Sequence, residues 1–413
     1  MTGNHKLPGS KHPGNLWALH PEFSQAIIPL MKWSAQCIVV LGIVVLAACC
    51  SLNSWAETES DQTTSLYDKV WNAAVLYEND DNPTLQSFSL VGRYHGQYWS
   101  VHADQGNAHD WDNRREIVGF NSKWFQHFTL QAQMYVETSG GSLYNGLYVA
   151  FIEWSPPDTD ISLSVGRLDY LFTGYERSTS SKKISTIERG LLVNQIMPAE
   201  VVGAHIEGRQ GRFSYQAGWF SSNIEEEFSS FDTGSAAVIG AGYDTTTFYD
   251  EGRLHLDFLY NSKDSVGNAF RPYSHVVSLW HKGERGRLGM AIDLTMAKPL
   301  ETNGEVWGLT LEPTWMLVNG LLGNNDSLQL ALRYQYASSD EDNGLHLQRR
   351  YEEKVIEGEG NQYQAVYGGL NYFLYDHKLK FMLGGEYAHM KDDADDGGEY
   401  RGWTWFGAVR LYF

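Results

Sequence analysis

Basic side chains are concentrated in one segment of an otherwise acidic chain. The 413 residues carry a formal net charge of −19. The segment 169–199 contains two Glu residues, Glu176 and Glu188, and four basic residues: Arg177, Lys182, Lys183 and Arg189. Rings of Arg and Lys are how pores favour anions, so this segment could attract anions if it lined a narrow passage. The alternative is an ordinary solvated loop with scattered charges.

Further basic residues could line the same passage. Arg93 shares one face of a predicted strand with Val91 and His95, while glycines and Tyr94 occupy the other face. We expect Arg93 to face water, since an arginine on a lipid-facing surface costs roughly 2–4 kcal/mol; pairing with a wall carboxylate is the alternative role. Arg114 and Arg115 are adjacent, so we expect their side chains to point to opposite faces. The full set of candidate anion-binding residues is Arg93, Arg114, Arg115, Lys123, Arg167, Lys182, Lys183 and Arg189.

Other kinds of chemistry have little support in the sequence. All three cysteines, Cys37, Cys49 and Cys50, precede the predicted mature chain, which excludes disulfides, zinc–thiolate sites and cysteine nucleophiles there. The mature chain contains no Gly-x-Ser-x-Gly, His-Glu-x-x-His or Gly-x-x-x-x-Gly-Lys motif. Its acidity argues against nucleic acid as a partner. We therefore expect no catalysis, cofactor or metal, although an enzyme that uses Ser and His from separated strands stays open.

The start of the chain predicts export. Lys32 precedes an apolar run over 37–50, and Ser54-Trp55-Ala56 supplies the small residues of a cleavage site, so 1–56 is predicted to be a signal peptide. Residues 1–30 do not fit a signal sequence, which suggests that translation starts at Met31. Cys49 ends a sequence that resembles a lipoprotein cleavage box, and this use of it is an alternative. Residues 57–84 are predicted to form a short periplasmic segment, including an amphipathic helix over 65–77.

The end of the chain predicts a membrane strand. Apolar side chains alternate with polar ones from Trp403 to the terminal Phe413. This is the apolar-out, polar-in pattern of a transmembrane β-strand of about 10 residues. Bacterial outer-membrane barrels characteristically end on such an aromatic strand.

The alternation recurs along the chain and predicts sixteen strands in an all-β, antiparallel transmembrane barrel over 85–413. Tight connections alternate with longer ones, as expected for periplasmic turns and external loops. We predict long external loops at 102–113, 169–199, 222–234, 263–272 and 339–360. The third of these, 169–199, is predicted to fold into the pore. The predicted strands are 87–101, 114–125, 128–137, 146–155, 160–168, 200–209, 212–221, 235–244, 252–262, 273–283, 286–297, 305–316, 326–338, 361–375, 378–390 and 401–413.

Several segments resemble the phosphate-selective porin O and P family. The segment 179–191, Thr-Ser-Ser-Lys-Lys-Ile-Ser-Thr-Ile-Glu-Arg-Gly-Leu, is similar to that family's third-loop signature, and 164–167, Ser-Val-Gly-Arg, to its strand-to-loop entry. The segments 85–94 and 114–115 resemble its first strand and the start of its second. The resemblance implies a sixteen-stranded barrel, usually trimeric, with the third loop narrowing the pore. The chain departs from the family in having Asp169 where a basic residue is common, and in having few arginines along the pore.

These observations predict an outer-membrane porin of a Gram-negative bacterium that passively conducts small hydrophilic solutes. The expected partners are outer-membrane lipid, two further copies of the chain in a homotrimer, and small ions such as phosphate. We expect a preference for anions. The external segments 222–234, 338–360 and 391–400 favour the opposite, because they contain sixteen Asp and Glu against four Lys and Arg. A nonspecific or cation-preferring porin is therefore the main alternative, followed by a barrel enzyme or an adhesin.

Overall fold

The structure, a computed structural model, describes residues 66–137, 143–223, 227–228, 231–232, 234–262, 271–322 and 326–413. The predicted signal peptide 1–56, the alternative start at Met31 and the lipoprotein-like Cys49 lie outside these residues. None of the helices in the described part of the chain is long and apolar enough to cross a membrane.

Nineteen strands and three short α-helices form the described chain. The helices are α1 (Leu66–Asn72), α2 (Tyr175–Ser178) and α3 (Leu191–Ile196). The strands are β1 (Val75–Glu78), β2 (Leu85–Ala103), β3 (Gly106–Trp124), β4 (Phe128–Val136), β5 (Tyr144–Trp154), β6 (Ile161–Asp169), β7 (Glu200–Gln210), β8 (Phe213–Ser221), β9 (Ser235–Asp244), β10 (Glu251–Asn261), β11 (Tyr273–Arg285), β12 (Leu288–Pro299), β13 (Val306–Asn319), β14 (Ser327–Ser339), β15 (Leu345–His346), β16 (Glu359–Gly360), β17 (Gln362–Tyr375), β18 (Leu379–Lys391) and β19 (Tyr400–Tyr412).

Sixteen long strands close into one antiparallel barrel. Each of these strands pairs with its neighbours along the chain, with β14 pairing with β17 across the β15–β16 hairpin. The last strand β19 pairs with the first long strand β2, from Gly402 opposite Ala103 to Tyr412 opposite Arg93, and this seam closes the barrel. Closure leaves no open edge among the long strands, as a membrane barrel requires. The predicted fold class of a sixteen-stranded antiparallel barrel is confirmed.

The alternation of side chains explains why these segments form the barrel wall. Along β12, five apolar side chains are exposed at every second position: Leu288, Met290, Ile292, Leu294 and Met296. The residues between them, including Asp293 and Thr295, are buried inside. A strand that is apolar on one face and polar on the other can contact lipid and the interior at once. The same pattern identifies the outward face of β19, where Trp403 and Trp405 are exposed.

The connections at the two ends of the barrel differ in length. The chain terminus Phe413 lies at the same end as the tight turns 125–127, 211–212, 286–287 and 376–378. The opposite end carries the longer connections, including 170–199 (called L3 below), 222–234 (L4) and 340–361 (L7). From the usual topology of transmembrane barrels, we expect the tight turns to be periplasmic and L3, L4 and L7 to be external.

The predicted external loop 102–113 is wrong. Strand β3 starts at Gly106, and residues 106–113 pair with the end of β2, so the connection is only 104–105. The two strands have 19 residues each, which is more than the roughly 9–11 that cross a membrane. Their ends project beyond the apolar band. Side chains there do not contact lipid, so apolar and polar residues need not alternate. The sequence pattern therefore gave no sign of a strand there.

The segment before the barrel packs on its periplasmic end. Helix α1 ends at Asn72, and Val75–Glu78 forms a strand that pairs with β2, so the predicted helix over 65–77 is too long. The Trp71 indole donates a hydrogen bond to the Tyr412 carbonyl at 2.7 Å, and the Tyr67 ring stacks on Tyr375. Strand β1 therefore pairs with the part of β2 that extends beyond the end of β19.

Candidate pore constriction

L3 lies inside the barrel wall and contacts strands from several sides. Gly174 N–H donates to Asp257 on β10, and Tyr175 N–H donates to Asp293 on β12 at 2.6 Å. Farther along L3, its carbonyl groups accept hydrogen bonds from three other strands: Ser185 from Asn371, Ile184 from Lys380, and Ile187 from Arg410. A segment that exposes backbone polar groups can be buried only when the wall supplies partners for them. These contacts therefore fix L3 across the interior.

A buried charge network anchors one side of L3. The Arg333 guanidinium on β14 contacts Glu176 of L3 at 2.6 Å and Glu386 of β18 at 2.7 Å. Arg333 also donates to the Glu188 carbonyl of L3 at 2.7 Å, and its side chain is about 1% exposed. Removing one partner from such a network leaves a buried charge uncompensated, which is strongly destabilising. This side of L3 is therefore fixed structure.

The adjoining part of the wall presents basic residues that form no ion pair with a carboxylate in the described part of the chain. His95 on β2 is fully buried and is surrounded by the charged groups of Arg93, Arg115, Lys380 and Arg410. We call these five residues the basic cluster. Among the described residues, no hydrogen-bond partner contacts either ring nitrogen of His95, or Nε of Arg93, Arg115 or Arg410. Buried donors without partners are costly, and these atoms are closed off from the surface, so the cluster acts on the interior of the barrel through its charge.

Two β-bulges shape the wall near the basic cluster. His95 pairs with Arg115 and Gly96 pairs with Asn113, so Arg114 has no partner across the strand pair. On β5, Tyr148 is skipped in the same way, between Leu147 opposite Met134 and Val149 opposite Gln133. A bulge breaks the alternation and re-aims the extra side chain. Arg114 and Tyr148 therefore both face the interior, each next to another inward side chain.

The bulge overturns the expectation that Arg114 and Arg115 point to opposite faces. Arg114 Nε contacts the Glu188 carboxylate of L3 at 3.1 Å. Arg115 lies near Tyr135 and Tyr148, on the same side of the wall. The two-residue alternation on which the expectation relied does not hold where one strand carries an extra residue.

Arg93 and Lys182 meet where L3 approaches the first strand. Arg93 donates hydrogen bonds to the hydroxyls of Tyr148 at 3.2 Å and Ser181 at 2.9 Å. The Lys182 ammonium lies 4.6 Å from the centre of the Tyr412 ring. Burial, and then the nearby Arg93 guanidinium, lower the pKa of Lys182 to about 8. Both residues therefore lie where L3 meets the wall.

The other two predicted L3 residues differ in their contacts. Lys183 is exposed, and no ion pair to it is found in the described part of the chain. Arg189 donates to the carbonyls of Glu176 at 2.8 Å and Thr179 at 2.7 Å, so it holds L3 together. Burial, and then Arg177, lower the pKa of Arg189 to about 9. Its role is in folding L3.

Arg167 and Lys123 lie away from the constriction. Arg167 pairs with Val202 and Ala150, on the outward face of the wall, and its Nε donates to the Leu147 carbonyl at 2.9 Å. Its expected place in the pore is therefore wrong. Gly166 before it has a φ of 137°, an extended conformation that L-residues rarely adopt. Lys123 lies on the inward face, but at the periplasmic end of β3, where its side chain is exposed.

Sequence reasoning missed two members of the basic cluster. Arg410 and Lys380 come from the last two strands, about 300 residues from His95. Arg410 pairs with His95 only because β19 closes on β2. Period-two alternation identifies Arg410 as inward-facing, but its neighbours depend on the register at the seam.

The carboxylates near the constriction are already paired. Asp169 contacts Arg177 at 2.5 Å and accepts a hydrogen bond from the Tyr148 hydroxyl. Burial alone would raise the pKa of Glu188, but the guanidiniums of Arg114 and Arg350 hold it at about 2. The acid that replaces the family's basic residue at position 169 therefore neutralises Arg177 and leaves the basic cluster unpaired.

L7 covers the external side of L3. Gln348 of L7 donates to the Arg189 carbonyl at 3.1 Å, and Asn194 donates to Gln348 at 2.9 Å. Arg350 contacts Asp112 on β3 and lies 3.7 Å from Glu188 of L3. Two loops rather than one therefore narrow the external half of the barrel.

Comparisons with known proteins agree with this geometry. Residues 88–247 match the family model described as phosphate-selective porin O and P. No curated protein matches the chain. These matched residues include L3, the Arg114 bulge and the first part of the basic cluster.

Solved structures of outer-membrane proteins share the fold. An anion-selective porin from Comamonas acidovorans has a TM-score of 0.57 at 11% identity, covering 79% of this chain and 99% of that one. The outer membrane channel DcaP of Acinetobacter baumannii has a TM-score of 0.53 at 12% identity, covering 82% and 100%. OmpT of Vibrio cholerae has a TM-score of 0.50 at 9% identity, covering 82% and 100%. At such identities the likeness shows the barrel fold alone.

Proposed function

We propose that the chain is an outer-membrane porin, as its match to the phosphate-selective porin O and P family over residues 88–247 and its barrel fold suggest, and that it conducts small hydrophilic anions, phosphate among them. The observation that carries this proposal is the basic cluster. Its cations lie where L3 narrows the interior, and their free N–H groups face no carboxylate among the described residues. A permeating anion that loses part of its hydration there is attracted by these charges, whereas a cation is repelled.

The size of the effect follows from the surroundings of the cluster. Two unit charges 4 Å apart interact by about 4 kcal/mol at an effective dielectric constant of 20, against about 1 kcal/mol in water. His95 and Arg410 are at most 1% exposed, so water screens their charges poorly. A difference of about 1.4 kcal/mol between anion and cation is a tenfold difference in permeability.

The acidic external loops favour the alternative of a cation-preferring channel. Asp392 and Asp393, for example, lie in the connection that precedes β19. Salt screens such exposed charges beyond about 8–10 Å at physiological ionic strength. We infer that they influence the entry of ions less than the buried cluster influences passage.

The test is the reversal potential of the purified porin in a KCl gradient. Replacement of Arg115 and Arg410 by Gln should lower the chloride-to-potassium permeability ratio by roughly tenfold. Replacement of Lys183 by Gln is the matched control, because Lys183 is an exposed cation of L3, and it should change the ratio little. Added phosphate should reduce the chloride current of the wild type. A wild-type channel that prefers potassium would reject the proposal.

We also propose that the porin self-associates, as a trimer by family resemblance. The outward face of β2 and β3 is unlike the rest of the wall. It carries a polar network in which Asn113 accepts hydrogen bonds from Tyr94 and Trp111 and donates to Glu116 at 3.2 Å. Strand β3 exposes no large apolar side chain, whereas β12 exposes five. A carboxylate is unfavourable against lipid, so a second copy of the chain is the expected cover.

Replacing Glu116 by Arg tests this association. The larger cation should disrupt a protein contact at this face and convert the oligomer in detergent to monomers, measured by native mass spectrometry. Replacing Ile292, exposed on β12, by Arg is the control for mere loss of an apolar surface residue. A wild type that is monomeric in mild detergent would contradict the proposed association.

A further inference from the structure

A second cavity, separate from the basic cluster, lies on the external side of L3. It has a volume of about 560 Å³ and is enclosed by L3, L7 and the external ends of β2, β3 and β11. The Arg114–Glu188 ion pair lies at its floor and Leu347 of L7 along its side. No residue of the basic cluster lines it. The cavity therefore lies between L3 and L7, apart from the basic cluster.

The charges of this cavity are unevenly paired. Its two inner arginines, Arg114 and Arg350, are matched by Glu188 and Asp112. Three other cations line the cavity without an ion pair to any described carboxylate: Arg271, Arg349 and Lys354. Asp110 also lines the cavity, so its five arginine and lysine residues stand against three carboxylates, and a positive formal charge remains.

Two of these cations, Arg271 and Arg349, line the same cavity and repel each other. Arg271 is half-buried, and its Nε donates to the Met197 carbonyl at 3.1 Å, which fixes the guanidinium. Arg349 lies at the exposed mouth of the cavity. Burial, and then the charge of Arg349, lower the pKa of Arg271, as expected when two like charges are held together. An anion between the two guanidiniums would relieve this repulsion and could accept a bidentate hydrogen bond.

The walls of the cavity are suited to a body larger than an inorganic ion. Trp99, Leu191, Leu347 and Tyr273 line it, and each is at most 5% exposed, so they form a fixed surface. Ligand sites for small organic molecules are typically about 300–1,000 Å³ and mostly apolar, with a few polar groups that orient the ligand. Inorganic phosphate would leave most of this volume unfilled.

We propose that this cavity binds organic anions, with a phosphate or carboxylate group at Arg271 and Arg349 and an apolar or aromatic body against Trp99, Leu191 and Leu347. The proposal deepens the proposed function by naming the solute class that the external half selects. Binding in this cavity raises the concentration of such solutes on the external side of the constriction. The basic cluster, in contrast, distinguishes solutes only by their charge.

The experiment measures block of the KCl current in planar bilayers by phenyl phosphate, added to one compartment at a time. We expect block from the external side, at concentrations at least tenfold lower than those of inorganic phosphate. Arg349→Gln should raise the half-blocking concentration at least tenfold. Arg401→Gln, which removes an exposed arginine of the external rim outside the cavity, should leave the block unchanged.

A second variant separates the apolar part of the site from its charge. Leu347→Ala should weaken block by phenyl phosphate several-fold and leave block by inorganic phosphate unchanged. Equal block by the two compounds in the wild type, or unchanged block in Arg349→Gln, would overturn the proposal. The reversal potential in a KCl gradient should stay the same in Arg349→Gln, so failure here and failure of the anion-channel proposal give different results.

Discussion

Arg114 and Arg115 are adjacent in the chain, yet both side chains face the interior of the barrel. The β-bulge at Arg114 produces this arrangement, because His95 pairs with Arg115 and the next residue of β2 pairs with Asn113. The two arginines then differ in their partners. Arg114 contacts Glu188 of L3, whereas Arg115 Nε has no hydrogen-bond partner among the described residues. One arginine fixes L3 to the wall, and its neighbour contributes an unpaired charge to the basic cluster.

The first prediction concerns the Arg114–Glu188 pair. Arg114→Gln should lower stability by about 1–3 kcal/mol, because it leaves the buried Glu188 carboxylate with weaker partners. The double variant Arg114→Gln/Glu188→Gln should recover part of this loss. The measurement is unfolding of the detergent-solubilised porin by guanidinium chloride, followed by tryptophan fluorescence. Additive losses in the double variant would show that the pair does not hold L3.

The second prediction concerns pH. Because the pKa of Lys182 is lowered to about 8, its ammonium is charged at pH 6 and loses its proton as the pH rises through 8. The chloride-to-potassium permeability ratio should therefore fall between pH 7 and pH 9. Lys182→Arg should remove the part of the pH dependence that comes from Lys182. An arginine there keeps its charge between pH 7 and pH 9.

A control is needed because Glu352 of L7 titrates in the same range. Burial, and then the Glu386 carboxylate, raise the pKa of Glu352 to about 8. Its ionisation would also lower anion preference as the pH rises. Glu352→Gln should leave the Lys182 contribution intact. A pH dependence unchanged in Lys182→Arg and lost in Glu352→Gln would assign the effect to L7 instead.

Sequence alternation located the strands because lipid imposes a strict period of two on each of them. It failed where that constraint is absent. Residues 106–113 form a strand beyond the apolar band, and nothing in their polar sequence indicates it. Alternation also failed at Arg114, where an inserted residue shifts the phase, and before Arg167, where Gly166 has an unusual conformation.

The basic cluster could be predicted only in part. Arg93 and Arg115 come from neighbouring strands, so a hairpin pattern suffices to bring them together. Lys380 and Arg410 join them through closure of the barrel, whose register depends on all sixteen strands. The partners of L3 could not be predicted, because a loop of irregular backbone takes its hydrogen bonds from wherever the wall offers them.

The third prediction concerns topology. Cysteines at Asp342 and Ala394, both exposed in the connections opposite to the chain terminus, should react with an impermeant maleimide on intact cells. A cysteine at Thr247, exposed in the turn between β9 and β10, should react only after the outer membrane is opened. Thr247 is preferable to Gly211 in a nearby turn, because Gly211 has a φ of 60° and a cysteine there would be strained. Labelling of Thr247→Cys on intact cells would show that the barrel has the opposite orientation in the membrane.

The last prediction concerns closure of the barrel at Phe413. The amide of Phe413 donates to the Gly92 carbonyl at 3.0 Å, and the Gly92 amide donates back to the Phe413 carbonyl at 3.1 Å. The Phe413 ring lies against Gly92 so closely that a Cβ on Gly92 would come within 2.3 Å of it. Deletion of Phe413 removes both hydrogen bonds and the ring, a loss of about 2–5 kcal/mol at the seam.

Two glycine variants separate packing at the seam from strand propensity. Gly92→Ala should displace the Phe413 ring and lower the temperature at which the folded, fast-migrating gel band disappears. Gly407→Ala on β19 is the matched control, because a Cβ there would lie 3.6 Å from its nearest neighbour and needs no adjustment. We expect Gly407→Ala to unfold at the wild-type temperature and the Phe413 deletion to assemble poorly. Equal behaviour of the two alanine variants would mean that the ring contact with Gly92 contributes nothing to closure.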